Sequence, residues 1–186
     1  MSSSGGRFIR PKSWGEHSMP LFCPDLRKRH ITDLRPDELR ALGVRGILLD
    51  ADNTLSAHKS GVPAEGVSEW LEQMRSEGFV LMLASNAKVE RIVPFAESLG
   101  LPCEGMCCKP LPAGVLRAAG HLKIPPEEIV LIGDQVFTDL LAGKAAGMKT
   151  VLVSPWQMET SRSFRIKRAL EKPFLKRMDR AMKRKS

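Results

Sequence analysis

Gly46-Ile47-Leu48-Leu49-Asp50-Ala51-Asp52-Asn53-Thr54-Leu55 decides how the chain is organised. The apolar run from Arg45 to Leu49 has the length of a buried strand and stops at Asp50. The same arrangement recurs downstream. Phe79 to Ala84 runs into Ser85-Asn86, and Ile129 to Ile132 runs into Gly133-Asp134. A weaker strand, Leu101 to Met106, precedes Lys109-Pro110, and Thr150 to Val153 reads as a last one. Helical patterns lie between them. Ala64 to Ser76 places Val67, Trp70, Leu71 and Met74 on one face and stops at Gly78. Lys88 to Leu99 is helical with a disturbance at Pro94, and Pro36 to Leu42, Pro112 to Leu122 and Phe137 to Ala146 complete the set. Strands that are apolar throughout, alternating with helices, predict an α/β fold with a parallel sheet covered on both faces.

Composition agrees with a globular enzyme-sized domain. The 186 residues are 42% hydrophobic and 27% charged. No apolar run reaches the ~18 residues of a membrane-spanning helix. Residues 1–20 lack a secretory apolar stretch and read as a flexible leader, residues 21–160 as the domain and residues 161–186 as a basic tail. Of the +8 formal charge, the tail holds 11 Lys/Arg against Glu171 and Asp179, so the remainder is close to neutral. That excludes a basic body binding nucleic acid over its whole surface. Cys23, Cys103, Cys107 and Cys108 form no CxxC pair, and the last three lack a fourth zinc ligand nearby. Such cysteines fit a reducing, cytoplasmic compartment.

The polar residues gather where strands end. In an open parallel sheet, ligands bind beyond the carboxyl ends of the strands, so these residues converge on one rim. Asp50 and Asp52 could act as nucleophile and general acid/base toward a phosphorus centre, or form an acidic turn that caps a helix. Asp134 to Asp139 could hold Mg²⁺ through oxygens, or supply a helix cap from Thr138 or Asp139. Ser85-Asn86 at a helix start could cradle phosphate or merely cap the helix, and Lys109 could neutralise phosphoryl oxygens or sit in solvent.

Taken in order, Asp50-x-Asp52-x-Thr54, Ser85, Lys109 and Gly133-Asp134-x-x-x-Thr138-Asp139 resemble the four motifs of the haloacid dehalogenase-like (HAD) superfamily, over about residues 21–175. The finer pattern includes Asn53-Thr54-Leu55, Ser85-Asn86, Lys109-Pro110 and Gln135. It resembles the YqeG family of subclass III HAD phosphatases, which is related to phosphatidylglycerophosphate phosphatases. Pro24-Asp25 and Arg168-Ala169-Leu170-Glu171 fit that family's flanking pattern more loosely. The resemblance implies a Rossmann-like HAD fold and a Mg²⁺-dependent phosphatase working through an aspartyl-phosphate. It implies Asp50 as nucleophile and Asp52 as general acid/base. Asp50, the Asp52 backbone carbonyl and Asp134 would be the Mg²⁺ ligands. Ser85 and Asn86 would hold phosphate, Lys109 would neutralise charge, and Thr138 and Asp139 would support the metal loop.

Spacing bears on access. Only 32 residues separate Asp52 from Ser85 and 23 separate Ser85 from Lys109. Neither interval holds a separate cap domain, since autonomous domains need more than ~40 residues. Ser56 to Val62 is left as a short flap with His58 and Lys59 near the mouth. An open site suits a phosphate on a large object. Together with the basic tail, the resemblance to the phosphatidylglycerophosphate phosphatases implies phosphatidylglycerophosphate as substrate. The alternatives are a phosphoprotein or soluble ester, or a nucleic-acid-binding accessory protein acting through its basic tail. In residues 173–186, Phe174, Leu175, Met178 and Met182 share a helical face opposite Lys176, Arg177, Arg180, Lys183 and Arg184. Three readings stand side by side: packing on the domain, peripheral contact with an anionic membrane, and nucleic-acid binding. The absence of interleaved aromatics weighs against the last.

Overall fold

The computed structural model describes residues 23–58, 60–157, 169–171 and 173–176. Six parallel strands form one sheet: β1 (Leu26–Lys28), β2 (Gly46–Leu49), β3 (Val80–Ala84), β4 (Cys103–Glu104), β5 (Ile129–Gly133) and β6 (Lys149–Val153), in the spatial order β1-β6-β5-β2-β3-β4. β2 lies in the interior, paired with β3 from Gly46↔Val80 to Leu49↔Leu83 and with β5 from Gly46↔Ile129 to Leu49↔Ile132. The connections carry α1 (Pro36–Ala41), α2 (Val67–Ser76), α3 (Val89–Ser98), α4 (Pro112–Leu122) and α5 (Leu141–Ala145). Among the described residues no inserted domain stands between strands.

Period-two alternation along the buried strands divides the core between the two faces of the sheet. Ile47 and Leu49 of β2, Leu81 and Leu83 of β3, and Val130 and Ile132 of β5 pack with Val67, Trp70, Leu71 and Met74 of α2 and Ile92 and Phe95 of α3. Leu48, Met82, Ile129 and Leu131 pack on the other side with Val115, Ala118 and Ala119 of α4 and Ala142 of α5. Both faces are therefore covered, as the unbroken apolar strands require.

Several elements differ from the sequence expectation. α2 starts at Val67 rather than Ala64, because Gly66 takes φ 77° before it. α3 runs through Pro94, whose exposed position lets the carbonyl left without its bond meet water. The expected strand Leu101 to Met106 pairs only at Cys103–Glu104. The expected helix Phe137 to Ala146 is a π-helical turn, Val136–Leu140, leading into the shorter α5. β1 and its pairing with β6 were not expected. Asp25 secures that edge: its N–H donates to Thr150 O at 2.9 Å, and its carboxylate accepts from Thr150 N at 2.7 Å, Thr150 Oγ1 at 3.0 Å and Lys144 Nζ at 2.8 Å.

The expected leader, Lys59 and most of the tail, including Met178 and Met182, lie outside the described residues. Residues 169–171 and 173–176 are helical. Phe174 and Leu175 are half-buried against Val136, Leu140 and Leu152, so this part of the tail's apolar face turns onto the domain. All four cysteines are free thiols.

Candidate active site

Asp50 is the first residue past β2, and the strand's central position fixes where its carboxylate emerges. Beside it, β3 delivers Ser85 and β5 delivers Asp134. These residues, brought together by strand order, face the same rim as the Lys109 loop. Asp50, Asp52, His58, Ser85, Asn86, Arg91, Lys109, Gln135, Thr138 and Asp139 line one open cavity of about 230 Å³.

The Lys109 ammonium is the hub. Its Nζ donates to Asp50 Oδ1 at 2.7 Å and Ala84 O at 2.8 Å, and lies 2.7 Å from Asp139 Oδ1. Lys109 is only 5% exposed, so the expected solvated alternative does not apply. Burial opposes its charge, but Asp139 and Asp50 outweigh that and hold its pKa above the ordinary lysine value. Burial pushes the Asp50 carboxyl up and Lys109 pulls it back, while Asp139 and Asp52 raise it further, leaving it at about 7. Without a further cation, this pocket opposes full ionisation of Asp50.

The loop carrying Lys109 is held by Asn86. Asn86 Oδ1 accepts from Lys109 N at 2.7 Å, and its Nδ2 donates to Lys109 O at 2.9 Å. The Asn86 amide, expected at phosphate, is thus occupied with positioning Lys109, although the residue still borders the cavity. Ser85 Oγ accepts from Ala87 N at 3.1 Å, which leaves the hydroxyl its own proton to donate into the cavity. Close packing also constrains the loop: a Cβ on Gly114 of α4 would lie 2.1 Å from Cys107 O.

The acidic loop after β5 folds back on itself. Asp139 Oδ2 accepts from Gln135 N at 3.1 Å, and a Cβ on Gly133 would meet Asp139 Cγ at 2.3 Å. Only glycine at 133 leaves room for Asp139 to reach Lys109. Thr138 lines the cavity. Asp50, Asp134 and Asp139, all buried, each offer a carboxylate oxygen within 4.8 Å of the others. An all-oxygen donor set opposite one ammonium fits a hard divalent cation such as Mg²⁺ better than a thiophilic metal. The Asp52 carboxylate stands outside this cluster.

Asp52 instead turns toward the mouth. Arg91 of α3 grips it with both terminal nitrogens, Nη1 donating to Oδ1 at 3.1 Å and Nη2 to Oδ2. His58 Nδ1 lies 3.9 Å from Asp52 Oδ1. The intervening turn needs Asn53 at φ 59°, a left-handed conformation that asparagine tolerates better than most non-glycine residues. Trp156, stacked on His30 at 4.1 Å, donates from Nε1 to Thr54 O at 2.9 Å and holds the turn from outside.

Arg91 and Trp156 are neighbours of the site that sequence reasoning did not single out, and it gave no role to Glu171, whose Oε1 accepts from Val136 N at 2.9 Å. Arg91 falls on the polar side of an amphipathic helix and carries no motif signal. The Arg168-to-Glu171 segment was the sole hint of the last.

The chain is 33% identical over 160 residues to a probable phosphatase, YqeG, of Bacillus subtilis (strain 168), which covers 86% of this chain and 93% of that protein. It is 28% identical over 148 residues to the chloroplastic phosphatidylglycerophosphate phosphatase 1 of Chlamydomonas reinhardtii, covering 73% of this chain and 52% of that protein, about half its length. A HAD family hydrolase from Deinococcus radiodurans R1, solved with bound phosphate and sodium, shares the fold at TM-score 0.55 and 19% identity, covering 68% of this chain and 88% of that one. The sequence profile of haloacid dehalogenase-like hydrolases matches residues 11–147, and with it the chain belongs to that hydrolase family.

Proposed function

We propose that this phosphatase hydrolyses a phosphate monoester through an aspartyl-phosphate on Asp50, with Mg²⁺ as cofactor and phosphatidylglycerophosphate as substrate. The observation that carries the reading is the placement of Asp50: it sits at the end of a central strand, on an open cavity, hydrogen-bonded to a buried Lys109 and flanked by Asp134 and Asp139.

An Asp50 carboxylate oxygen attacks phosphorus, and the bond from phosphorus to the leaving oxygen breaks. Lys109 fixes the Asp50 rotamer through Oδ1 and presents positive charge to the phosphoryl group, while the Ser85 hydroxyl donates to a phosphoryl oxygen. Asp52, at the mouth and on the leaving-group side, gives its proton to the departing oxygen. It then takes one from a water, which attacks the same phosphorus and releases Asp50 and phosphate. Both Asp52 oxygens accept from Arg91, with His58 Nδ1 beside Oδ1, so Asp52 is held at the mouth and carries a proton to transfer only once substrate draws one oxygen away from Arg91. Asp50, the Asp52 backbone carbonyl and Asp134 would hold Mg²⁺, whose charge would let an anionic aspartate approach an anionic phosphate. Asp139 keeps the acidic loop and Lys109 in register.

The lipid substrate rests on the open cavity, the basic tail and the chloroplastic relative. No helix among the described residues is long and apolar enough to cross a membrane. Contact with an anionic surface would then run through the tail's Lys and Arg side chains, because Phe174 and Leu175 face the domain. The test compares phosphate release from anionic vesicles containing phosphatidylglycerophosphate with release from a soluble ester and a phosphopeptide, each with Mg²⁺ and with a chelator. Mg²⁺-dependent release from vesicles, at least tenfold above the other two substrates, is expected. Equal or better turnover of the soluble ester would remove the lipid assignment, and full activity in chelator would remove the metal.

A further inference from the structure

We infer that Glu171, in the C-terminal helical segment, is a positioning residue that orders the loop bearing Asp134 and Asp139. The inference rests on the catalytic reading of that loop. The π-helical turn Val136–Leu140 begins directly after Asp134 and Gln135, and its first N–H groups have no partner within the helix. Gln135 provides no side-chain cap. The acceptor comes instead from 35 residues downstream: Glu171 Oε1 takes the Val136 N–H at 2.9 Å.

Glu171 is 2% exposed. A carboxylate is rarely buried without a specific partner, and here it meets the positive end of the helical turn. The contact is reinforced beside it. Phe174 meets the Phe137 ring edge-on at 5.3 Å, and Leu175 packs with Val136, Leu140 and Leu152. The acidic loop is thus closed from two directions. Asp139 closes it from inside through Gln135 N and Lys109, and Glu171 closes it from outside through Val136 N. Two residues after Asp134, the backbone is fixed by a side chain that does not line the cavity. Partners that hydrogen-bond a metal ligand directly carry about 10–100-fold in metal affinity, and Glu171 acts one step further out, on the backbone that carries Asp134.

The experiment measures two things on the full chain: amide exchange at Val136 relative to Ile47, and Mg²⁺ affinity by titration calorimetry. Glu171→Gln retains an acceptor, whereas Glu171→Ala removes it. Phe174→Ala removes the ring contact and leaves the carboxylate. Exchange at Val136 should rise at least tenfold in Glu171→Ala, with Ile47 unchanged, and Mg²⁺ should bind at least tenfold more weakly. Glu171→Gln should stay within threefold of the parent in both. Phe174→Ala should lower the melting temperature while keeping Mg²⁺ affinity within threefold. Unchanged Val136 protection in Glu171→Ala, or a Glu171→Gln as impaired as Glu171→Ala, would overturn the inference. So would loosened exchange with parental Mg²⁺ affinity. If Glu171→Ala does not fold, Glu171→Asp, which keeps the charge but is one methylene shorter, is read by the same criteria. A parent that binds no Mg²⁺ refutes the metal-dependent function, and the exchange measurement alone then decides the role of Glu171.

Discussion

Gly114→Ala should destabilise the protein and slow it, although alanine is ordinarily the better helix former. Gly114 lies inside α4, where replacement by alanine gains about 0.8–1 kcal/mol of helix propensity. At this position the new Cβ would lie 2.1 Å from Cys107 O, 2.4 Å from Cys107 Cα and 2.6 Å from Cys107 C. These are backbone atoms, so no rotamer change relieves the overlap. Overpacking of a close-packed interior costs about 1–3 kcal/mol, and three backbone collisions place this case at the upper end. The net loss is about 2 kcal/mol, or about 4–8 °C in melting temperature for a chain of this size.

The displacement also has a direction. Cys107 N bonds Ser85 O at 3.0 Å, and Lys109 two residues on must keep its 2.7 Å contacts with Asp50 and Asp139. Turnover of an aryl phosphate should therefore fall by about tenfold or more, because small misplacements of catalytic groups are expensive. Gly120→Ala in the same helix is the control. Nothing lies within 4 Å of its added Cβ, so it should gain about 0.5–1 kcal/mol and keep parental turnover. Scanning calorimetry and steady-state kinetics of both variants decide the matter. A Gly114→Ala protein as stable and as active as the parent would refute the packing argument for how Lys109 is placed.

Asp50→Asn should preserve the fold but reduce aryl-phosphate turnover more than a thousandfold, since an amide is no nucleophile toward phosphorus; residual activity within tenfold of the parent would remove Asp50 from that role. Asp52→Asn should cost ~10²-fold or more through lost proton transfer, and phosphate-labelled protein accumulating in that variant would mark breakdown of the intermediate as limiting. Asp25→Asn should destabilise the β1 edge by about 1–3 kcal/mol, the cost of disrupting hydrogen bonds to a half-buried carboxylate. Burial alone would raise the Asp25 carboxyl, but the bonds from Lys144 and Thr150 prevail and hold it below its usual value of 3.8. A depressed folded-state pKa contributes stability above the unfolded value, lost as pH falls through the folded one. The gap in unfolding free energy between parent and Asp25→Asn should therefore be full near pH 6 and shrink below about pH 4; a gap independent of pH would exclude the carboxylate as its source.

The strands that carry the site were legible because each is an apolar run stopped by a chemically distinctive residue. β2 before Asp50, β3 before Ser85 and β5 before Asp134 stand near their expected bounds. β1 was invisible, because Leu26-Arg27-Lys28 pairs on one side only and its half-buried residues show no apolar pattern. β4 shrank to a two-residue pairing, since the chain must leave the sheet to bring Lys109 back under Asp50. The acids and Lys109 could be named from sequence, but the contacts among them could not. That Asp139 would reach Lys109 depends on the space over Gly133, and that Asn86 would bracket Lys109 depends on a loop whose shape has no local signature. Arg91, Trp156 and Glu171 act across long sequence separations, so nothing near them in the chain marks their partners.

The interior position of β2 has a consequence for how motion is distributed. Its backbone is hydrogen-bonded to a strand on each side, and all its residues are buried, so its amides should exchange with solvent only when the whole domain opens. The flap opposite is anchored by isolated bridges of Ser56 to Asp52 and Pro63, and its Val62 is 70% exposed. Val62, exposed and outside those bridges, can move locally at little cost. Asp50, the proposed nucleophile, thus rides on the part of the molecule that moves last, while the exposed end of the flap moves first. On the proposed mechanism, leaving groups of differing bulk would be accommodated by the flap while the line of attack from Asp50 stays where the sheet put it.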